Sequence, residues 1–428
     1  MNLRSRALDN RWVPDRVAQS PERSLFGISL LLNLLVIVYR RNFVGVRTWE
    51  NGEIARNLVD GLGFSMAYLT GQPASPTSVM APFYPYFLAG VYAVFGEGQA
   101  AYLFVQLLQA LTQAAAVVVL FRIAERLFNR DVAIVAGLLF AVFPDHVYAV
   151  TIVHQLTFST LGILLLVYSV LNLRKALTYK HAAITGVVLG LSTLILPATL
   201  YFAPFIPLVL LLEWRWNGDE IGRTLGLIAT VTLVSIATIL PWTVRNYFIH
   251  DQFVLMKLVG WNFWRGNVPP AIETGVPNNL DDAAPAVQDR VRQMSEADAD
   301  SYLLGLATEY VIAHPLAFVE KFIRSAAYFW WFPPVQDVQE TQVNVLRKAA
   351  YFPVLLSTVA GVVLSWQNWR EYVPIYSAFF GFTIGYSVFF ILPRYRVPTI
   401  QPFMFVFAGY AVYRVLVALD DRRRVTNS

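Results

Sequence analysis

Ten apolar runs separated by short polar stretches divide the chain, at residues 24–39, 100–123, 132–150, 157–173, 182–196, 199–212, 225–244, 349–366, 373–392 and 399–416. Their lengths approach the roughly 17–25 residues that a helix needs to cross a bilayer. Pro197 splits the fifth and sixth runs into a hairpin. An eleventh run, 317–332, is interrupted by Glu320, Lys321 and Arg324 and ends in Trp and Phe. That pattern predicts an amphipathic helix lying on the membrane. The pattern as a whole predicts an all-α polytopic membrane protein with about ten transmembrane helices. Two long outer loops would carry further amphipathic helices.

Composition agrees with this reading. The 428 residues are 56% hydrophobic and 14% aromatic, with only 14% charged, against about 25% charged in soluble domains. The Arg-bearing N-terminus is too long and polar for a cleaved signal, so the first run reads as a retained signal-anchor. There is no cysteine, which excludes disulfides, thiolate metal sites and a cysteine nucleophile. The net charge of +5 comes without any basic cluster interleaved with aromatics. It reads as basic cytoplasmic loops beside anionic membrane lipids, not as a nucleic-acid surface.

Orientation follows from the short basic loops. Arg122, Arg126 and Arg130, then Arg174, Lys175 and Lys180, then Arg215 and Arg223, Arg370 and Arg422–Arg424 all fall on the side of the N-terminus. That side is expected to be cytoplasmic, in a multi-pass protein of the cell membrane. The predicted units are a cytoplasmic arm (1–23), a first span (24–39) and a first outer loop with a re-entrant helix (40–99). A bundle (100–244), a large outer loop (245–348), C-terminal spans (349–418) and a cytoplasmic tail (419–428) follow. Arg40, Arg41 and Arg47 fall on the outer face against the positive-inside trend, and anchoring at the surface or contact with anionic lipid accounts for them equally well. Loops this long usually carry function.

The first outer loop reads WENGEIARNLVDGLGF (49–64), then SPTSVMAPFYPYFLAGVYAVFG (75–96). It resembles the first outer loop of bacterial GT-C type membrane glycosyltransferases, the superfamily of protein O-mannosyltransferases and aminoarabinose transferases. Further elements match in order: LPWTVRNYF (240–248), WRGN (264–267), AHPLAF (313–318) and LPRYRVPTIQP (392–402). The resemblance implies a GT-C fold and transfer of a monosaccharide from a polyprenyl-phosphate-linked donor to a lipid, glycan or protein acceptor on the extracytoplasmic face. Relatives often carry an Asp-Glu pair in this loop. Aligning IAR puts Arg47 and Thr48 there, with Glu50 three residues on, the nearer position used by a bacterial subgroup. Where relatives tend to keep a second acid in the next outer loop, this chain has His154 and Gln155, and the closest acid is Asp145.

Transfer to a hydroxyl needs a base for the acceptor proton and cations for the departing phosphate. The resemblance makes Glu50 the expected base. On its own, a carboxylate at a helix start is equally explained by the macrodipole, worth about 0.3–1 kcal/mol. Glu53 lies on roughly the same face and reads chiefly as a structural partner, with acceptor binding as the other role. Arg394 and Arg396, bracketing Tyr395, have the spacing for two guanidiniums on one phosphate, and Arg245 follows the same logic. Interfacial snorkelling is the ordinary alternative for such arginines. Tyr395, His154 and Asp145 are accessory candidates, although a span-end histidine is more often a packing residue. YFWWFPP (328–334) reads as an interfacial aromatic belt or as the lining of a groove. No cofactor is firmly implied: zinc-ligand spacing is absent, and a divalent metal finds no support among these residues. A transporter or flippase of lipid-linked sugars, and a non-catalytic GT-C-fold subunit binding glycan, are the alternative functions.

Overall fold

The computed structural model describes residues 19–67, 73–218, 220–333 and 342–426. Residues 1–18 of the expected N-terminal arm, Pro334 of the aromatic series, residues 335–341 of the large outer loop and residues 427–428 of the tail lie outside the described residues, as do the side chains of Arg423 and Arg424.

All ten expected runs fall on helical structure. In chain order the main helices are α1 (Pro21–Arg40), α2 (Trp49–Val59), α3 (Phe83–Phe95), α4 (Gln99–Leu127), α5 (Arg130–Val142) and α6 (Pro144–Val150). They continue with α7 (Leu156–Ala176), α8 (Tyr179–Ile195), α9 (Phe205–Asn217), α10 (Ile221–His250), α11 (Val259–Asn267) and α12 (Pro285–Arg292). The last are α13 (Glu296–Ala313), α14 (Pro315–Trp330), α15 (Gln342–Ser365), α16 (Val373–Val388) and α17 (Gln401–Thr426). Among the described residues, seven helical runs are long and apolar enough to cross a membrane, or nine if each of two bent pairs is one span. One of the seven, 345–388, contains two of the expected spans, and α8 is a shorter apolar helix. The fold is that of an all-α polytopic membrane protein; the sole sheet among the described residues is a two-residue ladder pairing Ser65 with Pro76 and Met66 with Ser75.

The packing is that of a protein solvated by lipid. Helix α1 buries Leu25, Ser29, Asn33 and Ile37, one residue per turn, and exposes Leu31, Leu35 and Val38. Its hidden face is the more polar one, because lipid solvates leucine as well as a protein core does and small or polar residues hold helices together. Asn33 Nδ2 donates to the Ser29 carbonyl at 2.8 Å. Helices α8 and α10 approach through Gly190, where a Cβ would meet the Thr238 side chain at 2.5 Å.

Breaks in helices within the bundle are stabilised by side chains from neighbouring helices. Helices α5 and α6 form one pair bent by 55°, and α6 ends just before the turn 151–155. Carbonyls there have no helical partner, and an unpaired one is costly away from water. The central helix α4 supplies the donors: Gln106 Nε2 to Thr151 O at 2.9 Å, and Gln109 Nε2 to Val150 O at 2.9 Å and Ile152 O at 2.7 Å.

The helix expected to lie on the membrane is α14, turned 105° from α13. Lys321 and Arg324 turn inward while Glu320 is exposed. Buried Lys321 donates to the carbonyls of Ser387, Val388 and Phe389 at the end of α16, while Leu316, Val319 and Ile323 face outward. An ammonium suits the negative end of a helix dipole and its unpaired carbonyls. Replacing Lys321 with Met, which keeps the stem and removes the donors, is expected to cost about 1–3 kcal/mol. Thermal unfolding of the purified protein in detergent checks this; an unchanged Tm would show that those carbonyls have other partners.

Candidate active site

A cavity of about 470 Å³ opens where the first outer loop, the turn 151–155, α11 and the segment 390–398 converge. Three charged side chains line it: Glu50, Arg265 and Arg394. One carboxylate against two guanidiniums leaves the cavity with a net positive charge.

Glu50 lies in the first turn of α2. The chain enters this helix through Trp49 in the left-handed region at φ 47, with Thr48 buried against Gly52. A Cβ at Gly52 would meet Thr48 Oγ1 at 1.9 Å, so only glycine permits this close helix start. Asn51, facing inward, donates to Gln155 Oε1 at 3.3 Å. Glu50 and Trp49 remain exposed at the cavity. Glu53 is used differently: its carboxylate accepts the Ala67 N–H at 2.8 Å and does not line the cavity.

His154 lines the same cavity, its ring edge-on to Trp49 with centroids 6.1 Å apart. Burial, aided by the Arg394 charge, lowers its pKa to about 3. The imidazole is therefore neutral at physiological pH, and its Nδ1 has no protein partner. No group of three His, Asp or Glu side chains among the described residues is placed to hold one metal ion.

The two arginines arrive from opposite sides. Arg394 sits in the turn Pro393–Tyr395 and is exposed to the cavity. Tyr395 beside it stacks on Tyr386 at 4.6 Å and lines the cavity too. Arg265 comes from α11, the helix that carries WRGN. Its Nε donates to the Asn278 carbonyl at 2.7 Å, and its guanidinium covers the Phe390 ring at 4.9 Å. Burial lowers its pKa, and Tyr395, Arg394 and Glu50 all act on it electrostatically, although an arginine stays charged. Helix α11 reaches this position because Gly266 lets the backbones touch: a Cβ there would meet Phe389 O at 2.0 Å. Asn267 Nδ2 then bonds Val388 O at 2.9 Å.

The remaining candidates lie behind the walls. Arg396 is 1% exposed, sandwiched between Phe332 at 4.1 Å and Tyr351 at 4.3 Å, and donates Nη1 to Trp331 O at 2.8 Å. It does not share a phosphate-sized space with Arg394, because residues two apart in this turn project to opposite sides. The aromatic series expected to be a belt or groove supplies part of this box. Arg245 donates to Thr77 O at 2.5 Å and Phe64 O at 2.9 Å and lies outside the cavity lining. Asp145 is buried in an ion pair with Arg347 at 2.7 Å and accepts from Gln401 at 3.2 Å. Arg265 is the residue that reading for paired arginines missed; WRGN was the available signal, with the arginine unassigned.

This helical architecture is similar to that of solved oligosaccharyltransferase structures. A family model described as dolichyl-phosphate-mannose-protein mannosyltransferase matches residues 79–242. The apo oligosaccharyltransferase of Archaeoglobus fulgidus superposes with a TM-score of 0.59 at 13% identity, covering 98% of this chain and 52% of that one. The same enzyme, AglB, in complex with an inhibitory peptide and a dolichol-phosphate, gives 0.59 at 14% identity, over 96% and 52%. The chain thus spans about half the length of these proteins. ArnT from Cupriavidus metallidurans bound to undecaprenyl phosphate has a TM-score of 0.38 at 16% identity, over 89% and 78%. No curated protein sequence matches the chain.

The two arginines of the 392–402 segment are expected to respond differently to truncation. Arg396→Ala should lower stability by about 2 kcal/mol through loss of a desolvated cation between two rings. Arg394→Ala, at an exposed position, should change stability by less than about 0.5 kcal/mol. Parallel melting curves decide this, and equal losses would contradict the division of labour.

Proposed function

We propose that the protein is a glycosyltransferase that takes a monosaccharide from a polyprenyl-phosphate carrier and moves it to a hydroxyl acceptor. The acceptor belongs to a lipid, glycan or protein. The observation that carries this reading is the cavity that Glu50, Arg265 and Arg394 line together. The roles follow from charge. The Glu50 carboxylate takes the proton from the acceptor hydroxyl as that oxygen bonds the anomeric carbon. The bond from that carbon to the phosphate oxygen breaks, and its electron pair leaves with polyprenyl phosphate. The guanidiniums of Arg394 and Arg265 hold the phosphate, whose charge grows as the bond breaks, so their attraction is strongest in the transition state. Neutral His154 and Gln155 line the cavity with the base, and no second carboxylate among the described residues lines it.

The setting is consistent with this chemistry. The basic loops assigned to the cytoplasm pair among themselves at one end of the bundle, Arg174 with Glu213 and Glu371, and Arg122 with Glu22. The cavity belongs to the loops on the other side, so our reading has both termini in the cytoplasm of a cell-membrane protein and sugar transfer on the outer face. A donor whose lipid tail lies in the bilayer presents its phosphate at that level. In the archaeal oligosaccharyltransferase a dolichol-phosphate is bound together with a peptide, a lipid of the class proposed here.

Glu50→Gln tests the reading with minimal change in shape. Sugar transfer from a polyprenyl-phosphate-linked donor, measured in reconstituted membranes, is expected to fall by about 10²–10⁴-fold at unchanged expression and Tm. Near-normal transfer would remove Glu50 from the base role. Movement of the lipid without cleavage of the sugar–phosphate bond would favour a carrier.

A further inference from the structure

Resting on the reading above, we infer that Glu296, about 250 residues from Glu50 in sequence, is a positioning residue that sets one wall of the cavity. Its carboxylate is buried, 8% exposed, and collects three hydrogen bonds from the first outer loop. Thr77 Oγ1 donates to Oε2 at 2.5 Å, and the Ser78 N–H and Oγ donate to Oε1 at 2.9 and 3.1 Å. His250, at the end of α10, meets Ser78 Oγ through Nε2 at 2.8 Å and lies 3.7 Å from the carboxylate. The same two residues are tied on their carbonyl side. Arg245 donates to Thr77 O at 2.5 Å, and the Lys257 N–H donates to Ser78 O at 3.1 Å.

The joint matters because of what adjoins it. Val79, Met80 and Ala81, the next three residues, line the cavity, and so do Met256 and Leu258 on either side of Lys257. Thr77 and Ser78 are fully buried, so they have no water to replace a lost partner. Side chains from α13 and α10 and the backbone of Lys257 therefore converge on two residues of the first loop, and the adjoining wall of the cavity inherits their position. Glu296 touches no reacting atom; it acts through Ser78. Charge-assisted bonds of this kind are the stronger ones, and a wall displaced slightly loosens every contact made across it.

The full-length protein in detergent supports the test, with undecaprenyl phosphate as the probe. Glu296→Ala is expected to weaken its binding about tenfold, the equivalent of one lost charged hydrogen bond, while Glu296→Gln, still able to accept from Ser78, stays within about threefold. A second readout uses the absence of native cysteine. Spin labels at Ser75→Cys and Ser301→Cys, both exposed, should report a narrow distance distribution that widens in Glu296→Ala. An unchanged distribution, or a widened one with unchanged affinity, overturns the proposal. Widening in a protein whose wild type binds no undecaprenyl phosphate retains the joint and instead rejects the functional reading.

Discussion

A helix that stops inside an apolar bundle leaves its last carbonyls without partners, and α16 stops at Val388, below the cavity. Two donors meet that end, the Lys321 ammonium from α14 and the Asn267 amide from α11, and the bare backbone of Gly266 lies close against Phe389. Leaving such carbonyls unpaired away from water costs kilocalories each, so the chain is held to this arrangement. Its consequence is positional. Gly266 and Asn267 directly follow Arg265, and Phe389 is five residues from Arg394. Satisfying the helix end therefore brings together two arginines that are distant in sequence.

The same economy recurs at each break in the bundle. The turn 151–155 places His154 and Gln155 at the cavity, and Gln106 and Gln109 from α4 accommodate its carbonyls. The segment after α16 places Arg394, and the buried Arg396 underpins it by joining Trp331 O, Phe332 and Tyr351. Irregular backbone in a membrane protein survives where side chains from elsewhere complete its hydrogen bonds. Polar residues buried in this bundle are therefore the supports of the site, one layer removed from any substrate.

This explains what was legible in the sequence. Apolar runs are a local property, and all ten fall on helices. The local setting of Glu50 was readable because the helix start, the Gly52 contact with Thr48 and the carboxylate lie within five residues. The arginines were harder. A spacing of two cannot tell which guanidinium enters the cavity and which enters the aromatic box, since that depends on Phe332 and Tyr351, 64 and 45 residues before Arg396. Asp145 looked available until Arg347 closed on it. The inward turn of Lys321 on α14 was hidden for the same reason: its partners are in α16, and a hydrophobic pattern records the face of a helix but not whether protein or water lies against it.

Charge balance links this scaffold to the proposed chemistry. A phosphate leaving a sugar at a membrane surface gains negative charge where water is scarce, and fixed cations act strongly there. Arg265 is held by the Asn278 carbonyl and the Phe390 ring, and Tyr395, next to Arg394, is stacked on Tyr386. Little reorganisation is then required of these groups during reaction. With His154 kept neutral by burial and by Arg394, the cavity carries one negative side chain against two positive ones. A second carboxylate at that position would cancel the excess positive charge. A neutral histidine at that position leaves the excess positive charge of the two arginines uncancelled, as the proposed phosphate-binding role requires.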